Sequence, residues 1–171
     1  MATIRAETEA DFARVFELQA AAFGRRNEAE LVDALRRAAV PHVSLVAEEA
    51  GIVGHIFFSP VELEDDPGAP PLGGLAPVAV EPAQQRRGIG SALVRAGLEA
   101  CAPLGWRAVF LVGSPAYYSR FGFVAAAPLG FSYGDPQMDP ALQLLELEAG
   151  AVSGHRGRVV FHPAFVETGC G

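Results

Sequence analysis

The segment between residues 75 and 112 constrains the fold more than any other. Residues 75–80 (LAPVAV) form a short apolar run. A loop containing Gly88 and Gly90 follows it. From 88 to 102, Gly90, Leu93, Val94, Gly97, Leu98 and Cys101 recur at helical spacing, which predicts a single buried stripe. Arg95 and Glu99 fall on the opposite side as an i, i+4 pair. Residues 108–112 (AVFLV) are apolar throughout, as a strand buried on both faces is. Strand, loop, helix and strand over about 38 residues make a βαβ unit. The chain must therefore build a sheet containing a parallel strand pair.

The remaining elements follow in mixed β/α order. Residues 2–7 alternate as a strand, and 9–23 carry Phe12, Val15, Phe16 and Phe23 at helical spacing. Asn27 with Glu30 has the form of a helix cap, opening a helix whose apolar face is Leu31, Ala34, Leu35 and Ala38. Pro41 ends it. Residues 43–48 and 52–63 read as a hairpin turning at 49–51, and 64–74 as a solvent-facing loop. Beyond the βαβ unit, 115–121 predicts a short helix with proline in its first turn. Residues 122–127, 142–148 and 158–161 predict final strands, with a surface loop over 128–140. At 171 residues this is one domain, long enough to bury a core.

Composition removes several chemistries. All 13 basic residues are arginine. Without lysine there is no Schiff base and no Walker-type phosphate loop. A net charge of −7 argues against nucleic acid as a partner. That charge is uneven: residues 1–75 hold 13 acids against 6 arginines, and residues 76–171 hold 7 of each. An anionic ligand is thus expected on the second half. Two cysteines, Cys101 and Cys170, make neither a structural metal site nor a disulfide scaffold. His42, His55, His155 and His162 show no metal-ligand spacing, so no metal is expected. No signal peptide and no apolar run of spanning length is seen, so the expectation is a soluble cytoplasmic protein that does not engage membranes.

Three features could carry chemistry. Gly88 and Gly90 lie where the loop becomes the striped helix, and a helix N-terminus offers free N–H donors with a partial positive charge. That is a ready anion site, to which Arg86 and Arg87 add charge-assisted bonds. A plain glycine-containing helix start beside solvated arginines reads the same. A dinucleotide fingerprint is not met, because Leu93 stands where a third Gly or Ala is required. Pro77 cannot donate to a ladder, so its strand must splay or bulge, or else lie at an edge. Splaying from strand 108–112 leaves backbone groups of Val78 and Val80 free to bond a ligand. Finally, Tyr117 and Tyr118 stand together in PAYYSRFGF. They are either a packed aromatic pair or a source of a proton-donating phenol.

Together these segments resemble the GCN5-related N-acetyltransferase (GNAT) superfamily. Gln85-Arg86-Arg87-Gly88-Ile89-Gly90 matches its Gln/Arg-x-x-Gly-x-Gly/Ala motif, and Val78-Ala79-Val80-Glu81-Pro82 the strand before it. Tyr118 to Phe123 matches its Tyr-x-x-x-Gly-Phe pattern. GHIFFSPV, APVAVEP, QRRGIGSALV, YYSRFGF and VVFHPAF together look like the YhbS-like branch of predicted acetyltransferases. The resemblance implies an α/β GNAT fold: a mixed central sheet with a splayed strand pair and flanking helices. It implies one domain over 1–171, with an acyl-CoA-binding core at about 75–125. Acetyl-CoA is the implied co-substrate, and the acceptor a small-molecule or peptide amine.

By the same resemblance the cofactor lies on Val78, Ala79, Val80, Gln85, Arg86, Arg87, Gly88, Ile89, Gly90 and Ser91. The amine attacks directly, the Val78 N–H stabilises the oxyanion, and Tyr118 protonates the departing thiolate. Two positions depart from the family pattern. Ser114-Pro115 stands where many members carry Asn, and Leu75 and Ala76 cannot serve as a base. The base is left to Glu62, His55 or water. The acidic first half suggests a cationic acceptor. The alternative is a non-catalytic acyl-CoA-binding or sensing module; a structural partner domain would have no affinity for CoA at all. Either way a monomer or homodimer is expected.

Overall fold

The computed structural model describes all 171 residues. In chain order the elements are β1 (Thr3–Ala6), α1 (Phe12–Phe23), α2 (Asn27–Ala38), β2 (Val43–Glu48), β3 (Ile52–Leu63) and β4 (Leu72–Val80). There follow α3 (Ile89–Cys101), β5 (Ala108–Val112), α4 (Pro115–Tyr118), β6 (Val124–Ala125), β7 (Phe131–Ser132), β8 (Leu142–Glu146), β9 (Gly157–Phe161) and α5 (Ala164–Glu167). One sheet runs β1-β2-β3-β4-β5-β8-β6, with β9 against the far end of β3 and β7 beside β9. Along the main path only β4 and β5 are parallel, as the βαβ reading requires. No helix is long and apolar enough to cross a membrane.

The core is two-sided because β3 is apolar on both faces. Successive strand residues point to opposite sides. Ile56 and Phe58 pack with α3 residues Leu93 and Val94, while Phe57 packs with Val15, Leu18, Leu31 and Leu35 of α1 and α2. Phe57 and Phe58 are fully buried, each worth about 1.5–3 kcal/mol of transfer free energy. The α3 stripe begins at Ile89, which is buried, whereas Gly90 and Leu98 are only half-buried. Gly97 has a steric reason: a Cβ there would run into the Phe58 ring. The Arg95–Glu99 pair does not form; the Arg95 guanidinium lies 5.0 Å from the Phe121 ring centre instead. Stacking on a ring replaces a solvent-screened ion pair of little worth.

Several local expectations are corrected. Asn27 is the first residue of α2, with Arg26 before it, and does not cap the helix. Its side chain donates to the Thr168 carbonyl at 3.0 Å, tying α2 to the C-terminal segment. The reciprocal box lies one helix earlier, where Thr8 N–H donates to Asp11 Oδ2 at 2.8 Å. Residues 9–11 form one 3₁₀ turn before α1 proper. β4 starts at Leu72, so the loop expected over 64–74 is shorter. Gly73 and Gly74 belong to the strand because their missing side chains admit Trp106 and Phe161. The 128–140 stretch contributes β7, and β6 is only two residues long.

Candidate active site

The site grows from a fork between β4 and β5. Their parallel pairing covers only Leu72–Gly74 against Ala108–Phe110 and then stops. Beyond it β4 is held by β3 alone. The β3–β4 register slips between Ile56 (opposite Val78) and Phe58 (opposite Leu75), so β4 fits two residues where β3 has one. Pro77 sits in this bulge, where its lack of an N–H costs nothing. Both tolerances named for Pro77, a splay and a bulge, are present, in a strand that is central and not at an edge.

Ladder alternation decides which backbone groups face the open fork. Glu81 N–H donates to the Val53 carbonyl at 2.8 Å, and Ala79 lies opposite His55 in the same bonded phase. Val78 and Val80, in the other phase, turn their N–H and C=O groups toward the gap. The Val80 carbonyl accepts from Gln85 Nε2 at 3.2 Å. Ala79 differs from its neighbours: its backbone is committed to β3 and its side chain is buried with α1 and α2.

The fork leads to the N-terminus of α3. Gly88 precedes the helix at φ 83°, a left-handed conformation that suits glycine. Having no side chain, it cannot cap, so the first N–H donors of α3 keep no protein partner. A cleft of about 500 Å³ opens here, lined by Val80, Gln85, Arg86, Ile89, Gly90 and Ser91 together with Gly88, Tyr117 and Arg120. A Cβ on Gly90 would stand 3.4 Å from the Tyr117 hydroxyl and 3.6 Å from Val80 Cγ2, so glycine keeps the cradle open. The two loop arginines diverge. Arg86 lines the cleft and has no carboxylate partner, whereas Arg87 bonds Gln84 and reaches Glu49 at 3.5 Å.

The two tyrosines have different places. Ser114 starts α4, and its carbonyl accepts from Tyr118 N–H at 3.0 Å. The Tyr117 hydroxyl pairs with Ser91 Oγ at 3.0 Å, at the first turn of α3. Tyr118 packs edge-on to Tyr117 and Phe123 and close over Gly113 at the end of β5, where a Cβ would meet its ring at 2.7 Å. Burial, helped by Tyr117, pushes the Tyr118 phenol up to about 12. It is therefore a protonated donor at neutral pH.

Neither base nominee lies at the fork. His55 is fully buried and its ring is saturated: Gln19 Nε2 donates to Nδ1 at 2.8 Å, and Nε2 donates to Ser44 Oγ at 2.8 Å. Ser44 hands its own proton to Glu7 at 2.6 Å. Burial, reinforced by Arg36, pushes the imidazole down to about 3, so it stays neutral. Glu62 is exposed on β3 and pairs across to Val160 of β9. It lines a larger cleft of about 660 Å³ with Pro41, Asp65, Asp66 and Trp106, at the end where β4 and β5 are still paired.

The acidic first half is mostly neutralised. Nine of its 13 acids pair with arginine, among them Glu7 with Arg36, Asp11 with Arg5 and Glu28 with Arg25. It therefore does not surround the site with free negative charge. No group of three or more His, Cys, Asp or Glu side chains is placed to hold a metal ion. Tyr117 is legible in the sequence only as the neighbour of Tyr118. Arg120 carries no motif signal at all, since its place in the cleft depends on how α4 folds back on α3.

Comparison with known proteins accords with this geometry. The family model for the acetyltransferase (GNAT) domain matches residues 3–126. The uncharacterized N-acetyltransferase YhbS of Escherichia coli K12 is 34% identical over 164 residues, covering 95% of this chain and 97% of that one. YjhQ of the same strain, also an uncharacterized N-acetyltransferase, is 36% identical over 73% of this chain and 71% of its own. The crystal structure of E. coli YhbS in complex with CoA superposes with a TM-score of 0.88 at 33% identity, over 96% of this chain and 92% of that one. A Brucella melitensis GNAT acetyltransferase in complex with acetyl-CoA gives 0.78 at 37% identity, over 96% and 98%. With an open β4–β5 fork running into an uncapped helix N-terminus, and with relatives of this similarity along nearly its whole length, the chain belongs to the GCN5-related N-acetyltransferase family.

Proposed function

We propose that this chain binds acetyl-CoA along the open edge of β4 and transfers the acetyl group directly to a primary amine. The observation that carries the reading is the fork itself. The unpaired backbone groups of Val78 and the Val80 N–H lead straight to the free N–H donors of Ile89, Gly90 and Ser91. That sequence of groups matches a molecule with an amide-bearing arm ending in a pyrophosphate. Gln85 and Arg86 close the cleft over the phosphates. Arg87 and Ala79 contribute to shape more than to contact, because their polar groups are already bonded within the protein. Residues 75–125 are thus the acyl-CoA-binding core of a single domain.

The chemistry follows from three groups. The amine nitrogen forms a bond to the thioester carbonyl carbon, and the Val78 N–H stabilises the resulting oxyanion. Collapse breaks the carbon–sulfur bond, and Tyr118 gives its proton to the departing thiolate. A phenol at about 12 would be a poor donor to a thiolate in water. Burial raises thiols as it raises phenols, so a thiolate leaving inside the fork is a stronger base than one in water. The attacking amine arrives neutral and gives up its extra proton to water, since His55 is sealed in the core and Glu62 lies beyond the paired end of β4.

The absence of a side-chain base at the fork also favours the second reading, an acyl-CoA-binding module without turnover. Tyr118→Phe separates the two. Its hydroxyl has no hydrogen-bond partner in the protein, so removal should leave folding and CoA affinity intact. As an acetyltransferase, the variant should lose about 10²-fold or more in acetyl transfer to an amine panel, read as CoA release. Tight CoA binding with no transfer to any amine by the wild type would establish the module instead.

A further inference from the structure

The β5–β8 ladder loses a rung just before α4, and a side chain fills it. Continuing the register of Leu111 with Gln143 and Val112 with Leu142, Gly113 stands opposite Ala141 in the phase where two residues exchange two bonds. Only one forms. Gly113 N–H donates to the Ala141 carbonyl at 3.0 Å, but Ala141 N–H turns back to the Met138 carbonyl at 2.9 Å in a 3₁₀ turn. The Gly113 carbonyl is left without its strand partner. Gln143 Nε2 donates to it at 3.0 Å, and to the Ala141 carbonyl at 3.3 Å. Both amide hydrogens are thereby used, in a residue that is 1% exposed.

The bond matters because of what Gly113 carries. Gly113 joins β5 to α4, and the Tyr118 ring lies so close over it that a Cβ would meet the ring at 2.7 and 3.1 Å. The next residue, Ser114, supplies the carbonyl that receives Tyr118 N–H at 3.0 Å. The carbonyl that Gln143 holds belongs to the peptide linking these two residues. Rotating that peptide would shift both the floor beneath the phenol ring and the start of α4. Leu111, opposite Gln143, packs in the same apolar cluster as Tyr118, so Gln143 and the ring share one face of the sheet.

We infer that Gln143 is a positioning residue for acetyl transfer: by filling the missing rung it fixes the Gly113–Ser114 peptide, and with it the Tyr118 hydroxyl. The inference rests on the reading of Tyr118 as general acid. Its bonds go to Gly113 and Ala141, and neither β4 nor α3 is involved. Its loss should therefore disturb the chemical step and spare CoA binding.

Two substitutions test it. Gln143→Met keeps the length of the side chain and removes both donors. Gln143→Glu keeps the shape, but when ionised it sets a carboxylate against two carbonyl oxygens; when protonated it returns one O–H bond. Transfer from acetyl-CoA to spermidine, phenethylamine and an alanine-terminated peptide is followed as CoA release between about pH 6 and 9, a range that spans ordinary and raised carboxyl titration. CoA affinity is measured alongside by calorimetry. Gln143→Met should lower kcat by about ten- to a hundredfold, as a misplacement of about 1 Å does, with KM for acetyl-CoA and CoA affinity within about twofold of wild type. Divided by the wild-type value at each pH, kcat of Gln143→Glu should rise as pH falls. In a Tyr118→Phe background Gln143→Met should cost little more, because no donor is left to misplace.

An unchanged kcat overturns the positioning role. So do parallel losses of kcat and CoA affinity, a Gln143→Glu ratio that does not vary with pH, or additive losses with Tyr118→Phe. If Gln143→Met does not fold, the pH profile of Gln143→Glu decides; loss of fold in both makes Gln143 a purely structural residue. A Tyr118→Phe protein as fast as wild type, or a wild type that binds CoA and releases none with any of the amines, overturns the acid reading itself and the positioning role with it.

Discussion

Replacing Gly97 by alanine tests how tightly α3 is seated, and with it the position of the helix N-terminus that opens the cleft. Alanine is the better helix former by about 1 kcal/mol, so an exposed site would be stabilised. Gly97 is buried against β3. A Cβ there would lie 2.6 Å from Phe58 Cζ and nearer still to Cε1. Phe58 has no exposed surface, so its ring cannot swing into solvent. Overpacking of this kind costs about 1–3 kcal/mol, which offsets the propensity gain and leaves a net loss of up to about 2 kcal/mol. For a domain of 171 residues that is a fall in Tm of several degrees, about 2–4 °C per kcal/mol. Urea denaturation should show a lower midpoint with an unchanged slope. Phe58→Leu alone should destabilise by opening a cavity, but in the Gly97→Ala background it should cost at least about 1 kcal/mol less, because the added methyl fills part of the space. A raised midpoint for Gly97→Ala, or additive effects of the two changes, would refute the claim that this glycine exists to admit the Phe58 ring.

Two further outcomes follow from the same physics. His55 is neutral in the fold and pushed down to about 3, while the unfolded chain takes up its proton near the ordinary value of about 6.5. The unfolded state therefore binds more protons between those values, and stability falls as pH drops below about 6.5, by up to about 1.4 kcal/mol per unit. His55→Gln should flatten urea-derived stability between about pH 6.5 and 5, and an unchanged slope would show that another group sets the acid limb. Arg86→Gln should weaken CoA binding about tenfold, whereas Arg87→Gln should change it less than about threefold, because Arg87 is already held by Gln84 and Glu49. Equal losses in the two variants would mean that Arg87 leaves Glu49 when the ligand arrives.

The sequence alone determined the pieces that depend on near neighbours. The α3 stripe, the apolar β5 run and the spacing between them required a parallel pair, because only a crossover helix joins strands that way. The glycines at 88 and 90 marked the helix start, and Pro77 announced that its strand could not pair normally on both sides. Absent lysine narrowed the phosphate chemistry to backbone and arginine. What only the tertiary structure decided are the relations between distant segments. Arg86 and Arg87 are adjacent and chemically identical, yet the β2–β3 turn supplies Glu49 to one and leaves the other in the cleft. His55 looked able to act as a base, but residues from α1 and β2 close over it and fill both ring nitrogens. Tyr117 and Tyr118 part company because the α4 turn directs one hydroxyl to Ser91 and packs the other ring over Gly113. Local patterning sets where an element begins and which face it buries. Charge pairing, burial and orientation depend on groups tens of residues away in the chain, and only folding brings these within the few ångströms over which they act.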